Sequence, residues 1–227
     1  MSAREREIWD RHWRALQGGD CSLFGALASL VRRTVLCRAV RHYSDRWFPA
    51  DGILVETGCG TAQSSSTMQR LDRRLIGLDF SLPALLEARR GEAPHRFFVR
   101  GDIHALPFRD GSLAGIWNLG VMEHFPPEEG RAILREALRA LRPGACAVLF
   151  WPPELGSSRW VLAPIEWVRS RLSGRTFRFF PDEVNRLRSR RHARETLQAA
   201  GFEPAAVDVT PRDGFIHIVA VGRKAPS

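Results

Sequence analysis

Along the 227 residues of the chain the apolar positions change period several times. Ile8, Trp9, His12, Trp13 and Leu16 recur at helical spacing, which predicts an amphipathic helix over 4–17. A longer helical segment is expected over 23–47, ending near Pro49. Beyond it, short apolar runs alternate with amphipathic stretches. Strands are expected at 53–56, 75–78, 97–100, 115–119 and 145–150. Helices are expected at 61–71, at 82–90 with Ser81 as cap, at 127–141 before Pro143 and Gly144, and at 181–200 before Gly201. Strands that alternate with helices pair in parallel through right-handed crossovers. The last two apolar runs, 207–210 and 215–221, are joined only by PRDG, too short for a crossover, so that pair must be antiparallel. The pattern therefore predicts an α/β fold, with a mostly parallel sheet, helices on both faces and an antiparallel C-terminal hairpin. Two stretches break the alternation. They divide the chain into an N-terminal helical lid over 1–49 and a main domain over 50–227, with an insertion at about 151–180.

Composition narrows the class. Hydrophobic residues make up 44% and charged residues 26%, an ordinary globular balance. No apolar run approaches the ~20 residues of a membrane span, and MSAREREIWDRHW lacks the apolar core of a signal peptide, so a cytoplasmic location is expected. Cys21, Cys37, Cys59 and Cys146 are scattered and include no Cys-x-x-Cys pair, which suggests neither a zinc site nor a disulfide framework. The net charge is +9, and Lys224 is the sole lysine. An arginine-rich surface suits an anionic partner, whether nucleic acid, a membrane surface or an acidic substrate, but it is equally a solvated exterior.

The chemistry concentrates in ILVETGCGTAQSS, residues 53–65, where a strand ends in Glu56 and runs into a glycine turn. Such turns bring bare backbone up to nucleotide-like ligands. A phosphate-binding P-loop needs a lysine that this turn lacks. The dinucleotide fingerprint needs a third glycine where Gln63 stands, and a pyrophosphate gains nothing from Glu56 beside it. Cys59 reads as a small residue in a tight turn. Glu56, Asp79 and Asp102 close the first three strands, and open parallel sheets bind ligands at those ends. Three carboxylates suit a cationic ligand rich in donors: a ribose diol, an exocyclic amine, an ammonium and a sulfonium.

In this order VETGCGTA, IGLDFS, GDIHALPFRDGS, IWNLGVMEHF and LREALRALRPGACAVLF resemble the motifs of class I S-adenosylmethionine-dependent methyltransferases. The similarity is greatest to the small-molecule group that includes the ubiquinone- and menaquinone-biosynthesis enzymes. The resemblance implies a Rossmann-like seven-stranded sheet, S-adenosylmethionine as cofactor and S-adenosylhomocysteine as product. It places Gly58 and Gly60 against the methionine end, Glu56 near the ammonium, Asp79 on the ribose hydroxyls and Phe80 on the adenine. It places Asp102 on the adenine amine with Ile103 behind the ring, and Asn118 and Leu119 beside the methyl-donor pocket. Ala62 stands where that group often has a third glycine, and Ser112-Leu113-Ala114 replaces its Ser-Phe-Asp.

Methyl transfer is an in-line displacement in which alignment supplies most of the acceleration. A base is needed only when the acceptor must lose a proton. His124 is the candidate for that role, or else a residue that packs at the following helix; His12, His104, Glu123 and Tyr43 stand behind it. The acceptor is expected to be a small apolar or anionic molecule. Its specificity is expected from the insertion, where Trp160, Pro164, Trp167 and Arg171 share a helical face amid Arg159, Arg169, Arg175, Phe177, Arg178, Phe179 and Phe180. That segment reads as a packing cap, an acceptor lid or a membrane-surface helix. Arg186, Arg188, Arg190, Arg191 and Arg194 form a basic run expected on the last long helix, either a solvated face or a contact for nucleic acid. The rival functions are an RNA methyltransferase and a non-catalytic binding protein on the same scaffold.

Overall fold

The computed structural model describes residues 3–17, 29–68, 72–91, 94–154, 156, 167, 170, 171, 174 and 183–226. Seven strands form one sheet: β1 (Asp51–Thr57), β2 (Asp72–Asp79), β3 (Phe97–Arg100), β4 (Leu113–Leu119), β5 (Leu141–Trp151), β6 (Glu203–Val209) and β7 (Ile218–Arg223). Their order is β3-β2-β1-β4-β5-β7-β6. The first five are parallel, and β7 inserts antiparallel between β5 and β6. The expected Rossmann-like, seven-stranded sheet with an antiparallel C-terminal hairpin is therefore the fold observed. The helices are α1 (Ala3–Gln17), α2 (Cys37–Trp47), α3 (Leu82–Arg90), α4 (Pro127–Ala140) and α5 (Arg190–Ala199).

Strand alternation sorts the core into two layers. Val55, Ile116, Leu149, Ile218 and Ala220 face a cluster that holds Ile133, Leu134 and Ala137 of α4 and Leu197 of α5. Their neighbours Leu54, Trp117, Val148, Phe150, Val219 and Val221 face the opposite cluster with Ala39, Val40 and Tyr43 of α2. A period of two sends successive side chains to opposite faces, and both faces are covered, as a parallel sheet requires.

Several expected elements differ. The helix expected over 61–71 is only a 3-10 turn at Gln63–Ser65 in its described part. Serine and threonine compete with helical backbone through their hydroxyls; here Ser64 and Ser65 donate to the Glu56 carboxylate at 3.4 and 2.7 Å. The helix expected over 181–200 begins only at Arg190, where the Ser189 hydroxyl accepts the His192 N–H at 3.1 Å. Residues 183–189 are not helical, and Leu187 bridges Pro153. The basic run is thus split: Arg186 and Arg188 precede the helix, and Arg186 pairs with Glu183. The described part of 23–47 is helical and contains a π-helical turn at Arg32–Leu36. The Arg171 guanidinium lies 5.6 Å from the ring centre of exposed Trp167. The expectations for Trp160, Pro164, Arg159, Arg169, Arg175, Phe177, Arg178, Phe179 and Phe180 lie outside the described residues.

Candidate functional site

The carboxyl edge of the sheet opens where β1 and β4 lie side by side, with β2 on one flank and β5 on the other. That is the switch point of an open α/β sheet, where crossovers leave to opposite faces and a crevice must form. A cavity of about 240 Å³ fills it, near the lower end of the roughly 300–1,000 Å³ of ligand sites. Its floor is the glycine turn after β1. Gly58, Gly60 and Ala62 all have left-handed backbone, at φ of 67°, 51° and 54°. A Cβ on Gly58 would lie 2.6 Å from Val121, and one on Gly60 would lie 2.8 Å from the Trp13 ring. The missing side chains let two walls of the cavity close on the turn. Ala62 adopts by strain, at about 1–2 kcal/mol, the conformation that a glycine would take freely.

Asp79 ends β2 and organises this turn. Its Oδ2 accepts the Gly60 N–H and its Oδ1 the Ser81 N–H, each at 2.9 Å. Burial raises its carboxyl to about 6, against the lowering effect of these backbone donors. Each carboxylate oxygen still has a lone pair to offer, so the pair can accept from a vicinal diol. Phe80 and Ile103 line the cavity with Asp79. Asp102 lines it too, and its Oδ1 accepts from the backbone N–H and ring Nδ1 of His104 at 3.0 and 2.6 Å. Burial pushes this carboxyl up, but the His104 donors outweigh it and hold it below its usual range. The other His104 nitrogen lies 2.7 Å from Glu129.

Two of the residues expected to bind the cofactor stand elsewhere. Glu56 lies behind the turn and does not line the cavity. Its carboxylate takes the Ser64 and Ser65 hydroxyls and lies 3.0 Å from His95 Nε2. It braces the loop from beneath rather than facing a ligand's ammonium. Asn118 points into a separate small void with Thr57, Ile116 and Met122, because alternation along β4 turns it away from the cavity; Leu119, the next residue, lines it. The Cys59 thiol is pushed well above its usual range by burial and by Asp79 and Glu56, which makes it an unreactive packing group.

The other walls come from distant segments. Trp9, His12 and Trp13 of α1 cover the cavity, and Ser81 donates to Asp10 at 2.6 Å to hold that helix down. His124 lines the cavity as expected, edge-on to Trp9 at 4.9 Å. Burial, His12 and Arg186 lower its imidazole to about 4. Glu123 beside it is buried, and burial followed by the Glu183 charge raises its carboxyl to about 8. Phe125 and Pro152 add to the lining, as do Arg32 and Leu36 of the π-helical turn, Glu183, Ile216 and His217. These last five were not expected as site residues. Only Asp213 and His217, four apart around a glycine, left a signal in the sequence.

Residues 54–144 match a family described as a methyltransferase domain. A 37.1 kDa protein encoded in a Streptomyces fradiae transposon is 29% identical over 163 residues, 69% of this chain and 45% of that protein. A Mycolicibacterium smegmatis protein named for S-adenosylmethionine-dependent methyl transfer is 27% identical over 150 residues, 66% of this chain and 51% of its own length. The chain thus spans about half the length of the curated relatives it matches. Among solved structures, magnesium protoporphyrin IX methyltransferase of Synechocystis with bound S-adenosylhomocysteine superposes with a TM-score of 0.65. The identity is 18%, over 95% of this chain and 94% of that one, so the shared fold is what this likeness shows.

Proposed function

We propose that the protein is an S-adenosylmethionine-dependent methyltransferase that acts on a small acceptor with an apolar body. The observation that carries this reading is the Asp79 carboxylate, which closes β2 inside the cavity and is tied to the backbone of a glycine turn that a Cβ would block. Glycine cradle, acidic strand ends and flat apolar walls fit an adenosyl ligand with a charged amino-acid tail. Asp79 would accept the ribose hydroxyls, Phe80 and Ile103 would flank the adenine, and Gly58 and Gly60 would admit the methionine end. When bound, the cofactor supplies an electrophilic methyl group and leaves as S-adenosylhomocysteine. The chain's part is to orient, to exclude water and to take up any proton the acceptor must lose. Trp9, Trp13, Leu36, Phe125 and Ile216 give the acceptor apolar walls, and Arg32 adds a positive charge suited to an anionic group.

No helix among the described residues is long and apolar enough to cross a membrane. The free, buried thiols Cys37, Cys59 and Cys146 support a reducing, cytoplasmic setting. The test is thermal unfolding with S-adenosylmethionine, S-adenosylhomocysteine and NAD added separately. A ligand at 100 times its Kd adds about 2.7 kcal/mol, which raises Tm by roughly 5–11 °C for a chain of this size. A rise with both adenosyl ligands and none with NAD is expected. A rise with neither would leave a scaffold without its cofactor and overturn the assignment.

A further inference from the structure

The geometry points to His217, oriented by Asp213, as the general base that deprotonates an acceptor hydroxyl carried on an aromatic ring. The inference rests on the methyltransferase reading. His217 is buried yet lines the cavity, reaching it from the loop between β6 and β7. That loop is built around Asp213, which is fully buried and accepts three N–H groups: Phe215 N at 3.1 Å, His217 N at 3.0 Å and His217 Nδ1 at 3.1 Å. A carboxylate that only accepts leaves Nδ1 as the donor, so the lone pair of the neutral imidazole resides on Nε2. Among the described residues Nε2 has no hydrogen-bond partner. Phe150 stands edge-on to the ring at 6.0 Å and fixes its plane.

The loop spends conformational strain to hold this arrangement. Phe215 has φ of 59°, a conformation unfavourable for a bulky side chain. Thr210 caps the turn by accepting the Arg212 N–H at 3.2 Å. The Tyr43 hydroxyl, which feels the Asp213 charge, donates to Asp208 at 3.1 Å rather than to Asp213. A buried carboxylate that orients a histidine whose ring lines a ligand cavity is the arrangement a proton acceptor needs.

Topology puts the dyad where an acceptor would stand. β7 begins next to the end of β5, with Ile218 paired to Trp151. Along the carboxyl edge of the sheet, Asp79 and Asp102 lie on the β2 and β3 side of β1, whereas His217 lies on the far side of β4. His124 lines the cavity as well but is a poor base, since an imidazole lowered to about 4 has little tendency to take a proton. The aromatic walls supplied by Trp9, Trp13 and Phe125 suit a flat ring, and the Arg32 charge favours the phenolate that forms. In the transfer the oxygen lone pair bonds to the methyl carbon as the sulfonium C–S bond breaks and its electron pair passes to sulfur. The hydroxyl proton goes to His217 Nε2 and from there to water.

The test uses the full chain, methyl-labelled S-adenosylmethionine and substituted phenols, some un-ionised and some already ionised at neutral pH. His217→Ala is expected to lose about 10²- to 10⁴-fold in kcat on the un-ionised phenols while largely keeping turnover of the ionised ones. Added imidazoles should restore the lost rate in order of their basicity. His217→Gln repeats the comparison should the alanine variant unfold. The melting rise with S-adenosylhomocysteine, measured on every variant, separates this inference from the cofactor assignment. Nitrogen NMR of the histidine rings should show His217 as the Nδ1–H tautomer in the wild type, with the proton redistributed in Asp213→Asn. Equal loss on both phenol classes, rescue that ignores basicity, or an Nε2–H tautomer in the wild type would overturn the inference. So would a wild-type protein that gains stability with S-adenosylhomocysteine and methylates no phenol.

Discussion

At the scale of single residues, the site depends on carboxyl groups whose surroundings give them different tasks. Asp79 is nearly out of water and is held by the N–H groups of Gly60 and Ser81, so it both shapes the turn and faces the cavity. Asp79→Asn keeps the volume but loses one acceptor oxygen. S-adenosylhomocysteine should bind at least about tenfold more weakly by calorimetry, a loss on the scale of one hydrogen bond to a charged group. Because the carboxylate is the accepting form and burial raises the group to about 6, wild-type affinity should fall as the pH drops through that value, approaching tenfold per pH unit. Glu123 follows the opposite logic. Its folded value of about 8 stands above the ordinary 4.5, so its favourable contribution is complete below 4.5 and is lost as the pH rises through 8. Glu123→Gln removes that dependence. The variant should gain stability on the wild type between about pH 4.5 and 8 and hold a constant lead above that, as urea unfolding across the range would show. The acids at the strand ends were legible as residues in the sequence. That Glu56 would be spent on two serines and a histidine was not, because His95 reaches it from a loop 39 positions away in the chain.

At the scale of elements, α1 is the part most readily tied to function. Its apolar stripe was visible as a period, but a period does not say what the stripe covers. In the folded chain it covers the glycine turn, with Trp13 over Gly60 and Trp9 edge-on to His124. The hydrogen bond from Ser81 to Asp10 anchors it to the start of α3. Asp10→Ala should therefore speed dissociation of S-adenosylhomocysteine several-fold and raise hydrogen exchange in α1, with the unfolding midpoint of the sheet core nearly unchanged. A slower or unaltered off-rate in stopped-flow displacement would mean that α1 does not gate the cavity. The π-helical turn at Arg32–Leu36 is a second element with a purpose. Its widened backbone places both Arg32 and Leu36 on the cavity wall, and π-turns of this kind concentrate at functional sites. No sequence period announces one. The run at Gln63–Ser65, expected as helix, is a short turn for a related reason: its serines find a better acceptor in Glu56 than helical backbone offers.

At the scale of the molecule, the sheet brings together residues from both ends of the chain. Close packing makes this arrangement sensitive to small volumes. A Cβ on Gly115 would fall 2.5 Å from Phe48 and 2.9 Å from Leu54, where the chain leaving α2 enters β1. Gly115→Ala should cost about 1–3 kcal/mol, seen as a lower urea midpoint with an unchanged m-value. The sequence by itself determined the fold class, the parallel succession of β1 to β5, the antiparallel ending, the glycine turn and the acids that close the strands. Each of these is written in short-range terms: a period of two or of 3.6, a connection too short to cross over, a turn that needs positive φ. The tertiary structure alone decided that β7 lies between β5 and β6, that Asn118 faces away from the cavity while Leu119 faces into it, and that His217 lines the same cavity as Gly60, 157 residues earlier in the chain. Those outcomes follow from which face each strand presents and which strand it lies beside, and both are fixed by packing between residues that no local pattern connects.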